Sequence, residues 1–92
     1  MTDTEAEDCV RVREGAAVWR QVDDETIILC IDEGMYLRLN PTASELWTLI
    51  VAGATADEMA THLVDTFDVD QPTAEHDIAV FIAQCRSRRL LV

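Results

Sequence analysis

Lysine is missing from this sequence. All seven basic residues are arginines, set against 18 Asp and Glu, and the 92-residue chain has a formal net charge of -11. Without a lysine amine there is no Schiff-base chemistry. So large an excess of acid repels phosphate backbones, which argues against a nucleic-acid partner. Glycine is scarce: Gly15, Gly34 and Gly53 stand alone, so no glycine-rich loop exists to cradle a phosphate. Cys9, Cys30 and Cys85 have no metal-ligand spacing, and an odd count does not make a disulfide framework. The second and third of these sit among apolar neighbours and read as small core hydrophobes without a base to activate them. His62 and His76 are far apart, have no Cys or His at ligand spacing, and are expected on the outer faces of two helices. Acidic pairs such as Asp23-Asp24 and Asp57-Glu58 read as turn and cap. No apolar run approaches the roughly 20 residues of a membrane helix, and Met1 to Asp8 holds four acidic residues and no apolar segment, unlike a targeting peptide. These absences predict a cytoplasmic protein that is not an enzyme and uses no metal or cofactor.

What is present is a chain for one domain, 49% hydrophobic. Residues 1–14 read as a flexible acidic tail, with Val10 and Val12 as candidates to extend a sheet edge; residues 15–92 read as the folded domain. Ala16 to Val22 is expected as a first strand, followed by the polar turn Asp23-Asp24-Glu25. Thr26 to Ile31 follows as a second strand, almost wholly apolar and rich in β-branched residues, the pattern of a strand with neighbours on both sides. Asp32-Glu33-Gly34 is a turn in which glycine suits a positive φ. Met35, Leu37 and Leu39 then alternate with Tyr36 and Arg38, predicting a third strand with one face buried.

At Asn40-Pro41 the period changes from 2 to 3.6. Asn is a strong N-cap and Pro suits the first helical turn, and Ala43, Leu46, Trp47 and Ile50 share one helical stripe. This helix is expected from Pro41 to about Ala52, with Gly53 as its left-handed cap. Thr55-Ala56-Asp57-Glu58 is a capping box opening a second helix whose stripe is Ala56, Met59, Ala60, Leu63 and Phe67. After Asp68-Val69-Asp70 a third helix begins near Pro72. It carries Ala74, Ile78, Phe81, Ile82 and Cys85 on one face, and Ala79, Val80 and Ala83 add apolar surface beyond what one core contact needs. Arg86, Arg88 and Arg89 suit the end of that helix or an acidic partner. Leu90, Leu91 and Val92 are expected to tuck back under the bundle. An edge strand beside a helix with surplus apolar surface is the plan of a peptide-binding groove. Which elements lie side by side, spacing alone does not say.

The run Thr26-Ile27-Ile28-Leu29, then Gly34 to Ala43 (Gly-Met-Tyr-Leu-Arg-Leu-Asn-Pro-Thr-Ala), Leu46-Trp47, Phe67-Asp68-Val69-Asp70 and a closing Arg89-Leu90-Leu91 resembles the PqqD family, the leader-recognition elements of ribosomally made, modified peptides. The resemblance spans about Glu25 to Leu91 and is greatest to the short stand-alone proteins of lasso-peptide clusters. It implies an α+β, winged helix-turn-helix-like fold, a three-stranded antiparallel sheet followed by three helices. It also implies that a precursor's leader segment adds as a strand to the third strand and lies against the third helix. The residues it assigns are Met35, Tyr36, Leu37 and Arg38 on the strand, and Asp77, Val80, Phe81, Gln84 and Arg88 on the helix. Leu37 and Phe81 read equally as core; Tyr36 and Arg38 point away from the buried face, and Arg38 with Arg88 suits acidic leader residues. The implied role is delivery of the leader to a leader peptidase, a cysteine protease. The alternatives are a chaperone presenting the precursor to a radical modification enzyme and a structural subunit of a larger enzyme. A transcriptional winged helix is disfavoured by Glu75 and Asp77 where a recognition helix needs positive charge.

Overall fold

The computed structural model describes residues 9–92. The elements are β1 (Cys9–Val10), β2 (Ala17–Val22), β3 (Glu25–Cys30), β4 (Met35–Leu39), α1 (Pro41–Ala52), β5 (Ala54–Thr55), α2 (Ala56–Phe67) and α3 (Gln71–Ser87). Strands β2, β3 and β4 form an antiparallel meander with β3 in the centre. Register is set by the pairs Val18 with Leu29 and Leu29 with Tyr36. The expected three-stranded sheet followed by three helices is therefore the observed architecture.

The local devices are those the residues favour. Asn40 Oδ1 accepts from the Ala43 amide at 2.9 Å and starts α1, and Gly53 ends it at φ 85, a conformation that costs glycine little. Thr55 and Glu58 complete the capping box at 3.1 and 2.9 Å. The Gly34 amide donates to the Cys30 carbonyl at 2.8 Å and closes the β3–β4 turn. At the start of α3, hydrogen bonds from Thr73 to the Asp70 side chain hold its carboxyl below the ordinary carboxylate range.

The helices cover one face of the sheet. Ile28 and Cys30 from β3 and Leu39 from β4 meet Leu46, Trp47 and Ile50 of α1, with Met59, Leu63, Ile78 and Cys85 completing the core. Trp19 of β2 meets the Trp47 ring edge-on, centroids 5.3 Å apart at 85°. Leu90 and Leu91 are buried as expected, but the Val92 side chain is 82% exposed although its amide donates to the Arg11 carbonyl at 3.0 Å. No helix among the described residues is long and apolar enough to cross a membrane.

Five details differ from the sequence reading. The first two strands are each shifted by about one residue, Ala17–Val22 and Glu25–Cys30. Val10 and Val12 do not extend the main sheet: β1 pairs with β5, and Val12 bridges to Leu91. Of the 1–14 tail, residues 1–8 lie outside the described residues, while Val10 is buried and the Arg13 amide donates to the Leu90 carbonyl at 2.7 Å. Along β4 the alternation holds, with Tyr36 and Arg38 exposed, but the inner face is graded: Leu39 is buried, Leu37 half-buried and Met35 half-exposed, because only the far end of the strand reaches α1. His62 is not on an outer face; its Nε2 lies 2.8 Å from Glu45 Oε1, where α2 passes α1.

Ile28→Ala, at a fully buried position in the central strand, is expected to destabilise the fold by about 2–5 kcal/mol in urea titrations. A loss under about 1 kcal/mol would mean the centre of the core lies elsewhere. Asp70 contributes stability while its carboxylate is ionised, and because the folded pKa is depressed this contribution is lost as pH falls below about 4. Asp70→Asn should therefore show a flatter acid limb than the wild type, read as melting temperature against pH.

Candidate functional site

Strand β4 is the last strand of the meander, so its outer edge keeps a row of backbone amides and carbonyls without a strand partner among the described residues. Helix α3 runs alongside that edge in the opposite sense, its C-terminal end near the start of β4 and its N-terminal end near the start of α1. Between them lies a cleft of about 300 Å³ with Leu37, Leu39, Phe81 and Cys85 in its floor and Arg38, Gln84 and Arg88 at its walls. A second cleft of about 380 Å³ continues it past Asn40 and Ala43 to Val80, Asp77 and His76. Asn40, Ala43, Phe81 and Gln84 line both, so the two form one groove.

Of the nine residues assigned from sequence, seven come together here: Leu37, Arg38, Asp77, Val80, Phe81, Gln84 and Arg88. Met35 and Tyr36 do not line the groove. Tyr36 is 72% exposed on the outer sheet face, opposite Leu29. Phe81 is both core and groove, 6% exposed while lining the two clefts, and the half-buried Leu37 likewise serves both. The sequence reading missed Asn40, Ala43 and Cys85. Cys85 stands one helical turn after Phe81 and was legible from that spacing. Asn40 and Ala43 had no such signal, because only the packing of α1 against β4 brings them to the groove.

The floor is uncharged at neutral pH. Burial pushes the Cys85 thiol up to about 12, with the neighbouring Cys30 adding to the rise, and burial also raises Cys30. Neither is a ready thiolate. The charge lies at the rim. Arg38 meets Glu25 at 2.7 Å, and Arg88 reaches Glu33 in the β3–β4 turn at 3.1 Å. Arg13 grips the same turn, pairing with Asp32 at 2.6 Å while its Nε donates to the Arg89 carbonyl at 2.9 Å. Two ion pairs thus hold the turn that starts β4 to the end of α3, and they set the width of the groove at that end. Asp77 at the other end makes no ion pair among the described residues. The groove is cationic at the Arg38 and Arg88 end and acidic at the other.

An antiparallel sheet with one open edge, three helices behind it and a mixed apolar and charged groove beside that edge defines a winged-helix-like domain. The sequence matches the family of coenzyme PQQ synthesis protein D (PqqD) over residues 25–91, and the chain belongs to that family. No curated protein matches it in sequence. Among solved structures, TbiB1 in complex with the TbiA(beta) leader peptide superposes with a TM-score of 0.82 at 28% identity, covering 88% of this chain and 93% of that one. A lasso peptide synthetase B1 complexed with the leader peptide shares the fold, with a TM-score of 0.79 at 24% identity over 90% of this chain and 96% of that one.

Arg88 and Glu33 both have side chains about one third exposed, so a double-mutant cycle between them should give a coupling of only about 0.2–1 kcal/mol in stability. A coupling of several kcal/mol would mean that the turn is held by a desolvated pair and not by a solvated clamp.

Proposed function

We propose that this protein is a non-catalytic adaptor that binds the leader segment of a ribosomally made precursor peptide of the lasso class. The leader adds as a strand along β4, lies against α3, and is delivered to a leader peptidase of the cysteine protease type. The observation that carries this reading is the open edge of β4 beside Leu37 and Phe81: backbone groups to pair with an extended peptide, and an apolar floor for its alternate side chains, border one groove. The 28%-identical TbiB1, seen with a leader peptide, supports it. A chaperone for a radical modification enzyme, or a permanent subunit, would use the same groove; the leader peptide in the TbiB1 structure favours a peptide ligand over a permanent subunit.

Ordering a leader costs conformational entropy, so strand pairing needs help from apolar anchors. Leu37, Val80 and Phe81 supply them. Gln84 offers a polar contact midway, and Arg38, Arg88 and Asp77 give the groove a charge direction. Because both arginines already have carboxylate partners, an acidic leader residue exchanges one ion pair for another. The gain lies in orientation and association rate more than in affinity. Met35 and Tyr36 contribute backbone along the paired edge.

Anisotropy of a labelled lasso-precursor leader peptide, with the TbiA(beta) leader as the first probe, tests the reading. Saturable binding at or below about 1 µM is expected. Proline in the paired leader segment should abolish it, Phe81→Ala should weaken it by about tenfold or more, and Arg88→Glu should weaken it and flatten its salt dependence. A folded, soluble protein that binds no leader would overturn the reading.

A further inference from the structure

Helix α3 has a second open flank. Ala74, Ile78, Phe81 and Cys85 face the core, and Asp77, Val80 and Gln84 turn to the groove on one side of that stripe. On the other side, sharing no lining residue with the groove, lies a cleft of about 560 Å³. Ile78, Ala79, Ile82 and Ala83 form its floor, and Ala56 and Asp57 border it from the start of α2. Ala79 and Ala83 are exposed and Ile82 is half-buried, so this flank of α3 has apolar surface that neither the core nor the groove uses. The charged residues lining the cleft are Glu75, Arg86 and Asp57. On a chain of net charge -11 this face is therefore close to neutral, and an apolar, nearly neutral cleft marks an interaction surface.

The order of residues along the helix points to the occupant. Glu75, Ala79, Ile82 and Arg86 follow one another at steps of four, three and four residues, which is one continuous stripe on an α-helix. Glu75 and Arg86 stand about 16 Å apart along the axis, at roughly 1.5 Å per residue. Reversed end to end, the stripe matches itself. Against an antiparallel second copy of α3, Glu75 faces the other Arg86, Ala79 faces the other Ile82, and Ile78 faces the other Ala83. Each large side chain then meets a small one and each charge meets its opposite, the self-complementary pattern of a two-fold interface in which every contact occurs twice. The charged groups are available for this: neither Glu75 nor Arg86 makes an ion pair among the described residues, and Glu75 accepts a hydrogen bond from Gln71 Nε2 at 3.0 Å. The segment before Cys9 suits the cleft poorly. Its eight residues hold four carboxylates, with only Met1 and Ala6 apolar, and the cleft is already edged by Glu75 and Asp57.

We infer that two copies of this chain pair through this flank of α3, antiparallel about a two-fold axis. The apolar floor carries the association, and the two Glu75–Arg86 pairs set its direction. Because the cleft and the groove lie on opposite sides of the core stripe of α3, pairing leaves both grooves open. The inference does not depend on what the groove binds.

Sedimentation equilibrium of the full chain tests this, over about 10 µM to about 1 mM, the range suited to a small interface. The wild type is expected to show a reversible monomer–dimer equilibrium. Glu75→Arg and Arg86→Glu, each alone, should weaken it by about tenfold or more, because like charges then meet at both ends. Ala79→Glu should do the same by placing a carboxylate in the apolar floor. All three positions are exposed, and far-UV circular dichroism reports that each variant is folded. An equimolar mixture of the two charge variants should dimerise again at close to wild-type strength, since each copy then offers the charge the other lacks. A wild type that stays monomeric throughout would overturn the inference, as would a dimer that the three variants leave unchanged. A mixture no stronger than either charge variant alone would overturn the antiparallel two-fold packing. A protein that dimerises as expected but binds no leader would fail the peptide-binding reading and leave this inference standing.

Discussion

Backbone amides and carbonyls demand partners, and a sheet of three strands has two edges where that demand is unmet by the sheet itself. The arrangement at β4 follows from this constraint. Helix α3 passes near the edge without closing on it, so the unpaired groups remain reachable at the side of a groove instead of being buried or blunted. Two apolar residues of α3, Val80 and Phe81, line this gap; Phe81 also belongs to the core, while Val80 is left exposed by it. The same helix buries Ala74, Ile78 and Cys85 against the core, which holds the groove wall rigid while its outer side stays open. A site built on a strand and a long helix is held more tightly than one built on loops.

The charge of the chain works at two ranges. At long range the excess of acid repels other polyanions. At short range the few arginines are placed with care: Arg13 and Arg88 clamp the β3–β4 turn to the end of α3, and Arg38 and Arg20 lie on the sheet. The surface pairs add little to stability. Their effect is to fix where β4 begins relative to α3, and so to fix the shape of the groove.

The resemblance to the PqqD family read from the strand, the Leu-Asn-Pro-Thr junction and the Phe-Asp-Val-Asp linker agrees with the family match over residues 25–91. The winged-helix plan agrees with the superposition on TbiB1. The groove residues on α3 came from the resemblance: Asp77, Gln84 and Arg88 stand at helical spacings around Phe81 and line the clefts with it, and Cys85, at the same spacing, was missed. The part on β4 was less legible. Met35 and Tyr36 neighbour Leu37 in sequence but do not line the groove, since alternate strand residues face opposite sides and burial along β4 depends on how far α1 extends.

By itself the sequence determined the three strands of the main sheet, to within about a residue, and the three helices with their ends. Asn40, Gly53, the Thr55–Glu58 box and Asp70 place the helix boundaries through hydrogen bonds only a few residues long, and the period-2 and period-3.6 patterns choose strand or helix. Those are local interactions, and local sequence contains them. Only the tertiary structure decided that β1 pairs with β5, that Asn40 and Ala43 border the groove, that His62 meets Glu45, and that the apolar outer face of β3 is left uncovered. Each of these depends on contacts between residues distant along the chain, and such contacts are fixed by how the helices pack on the sheet.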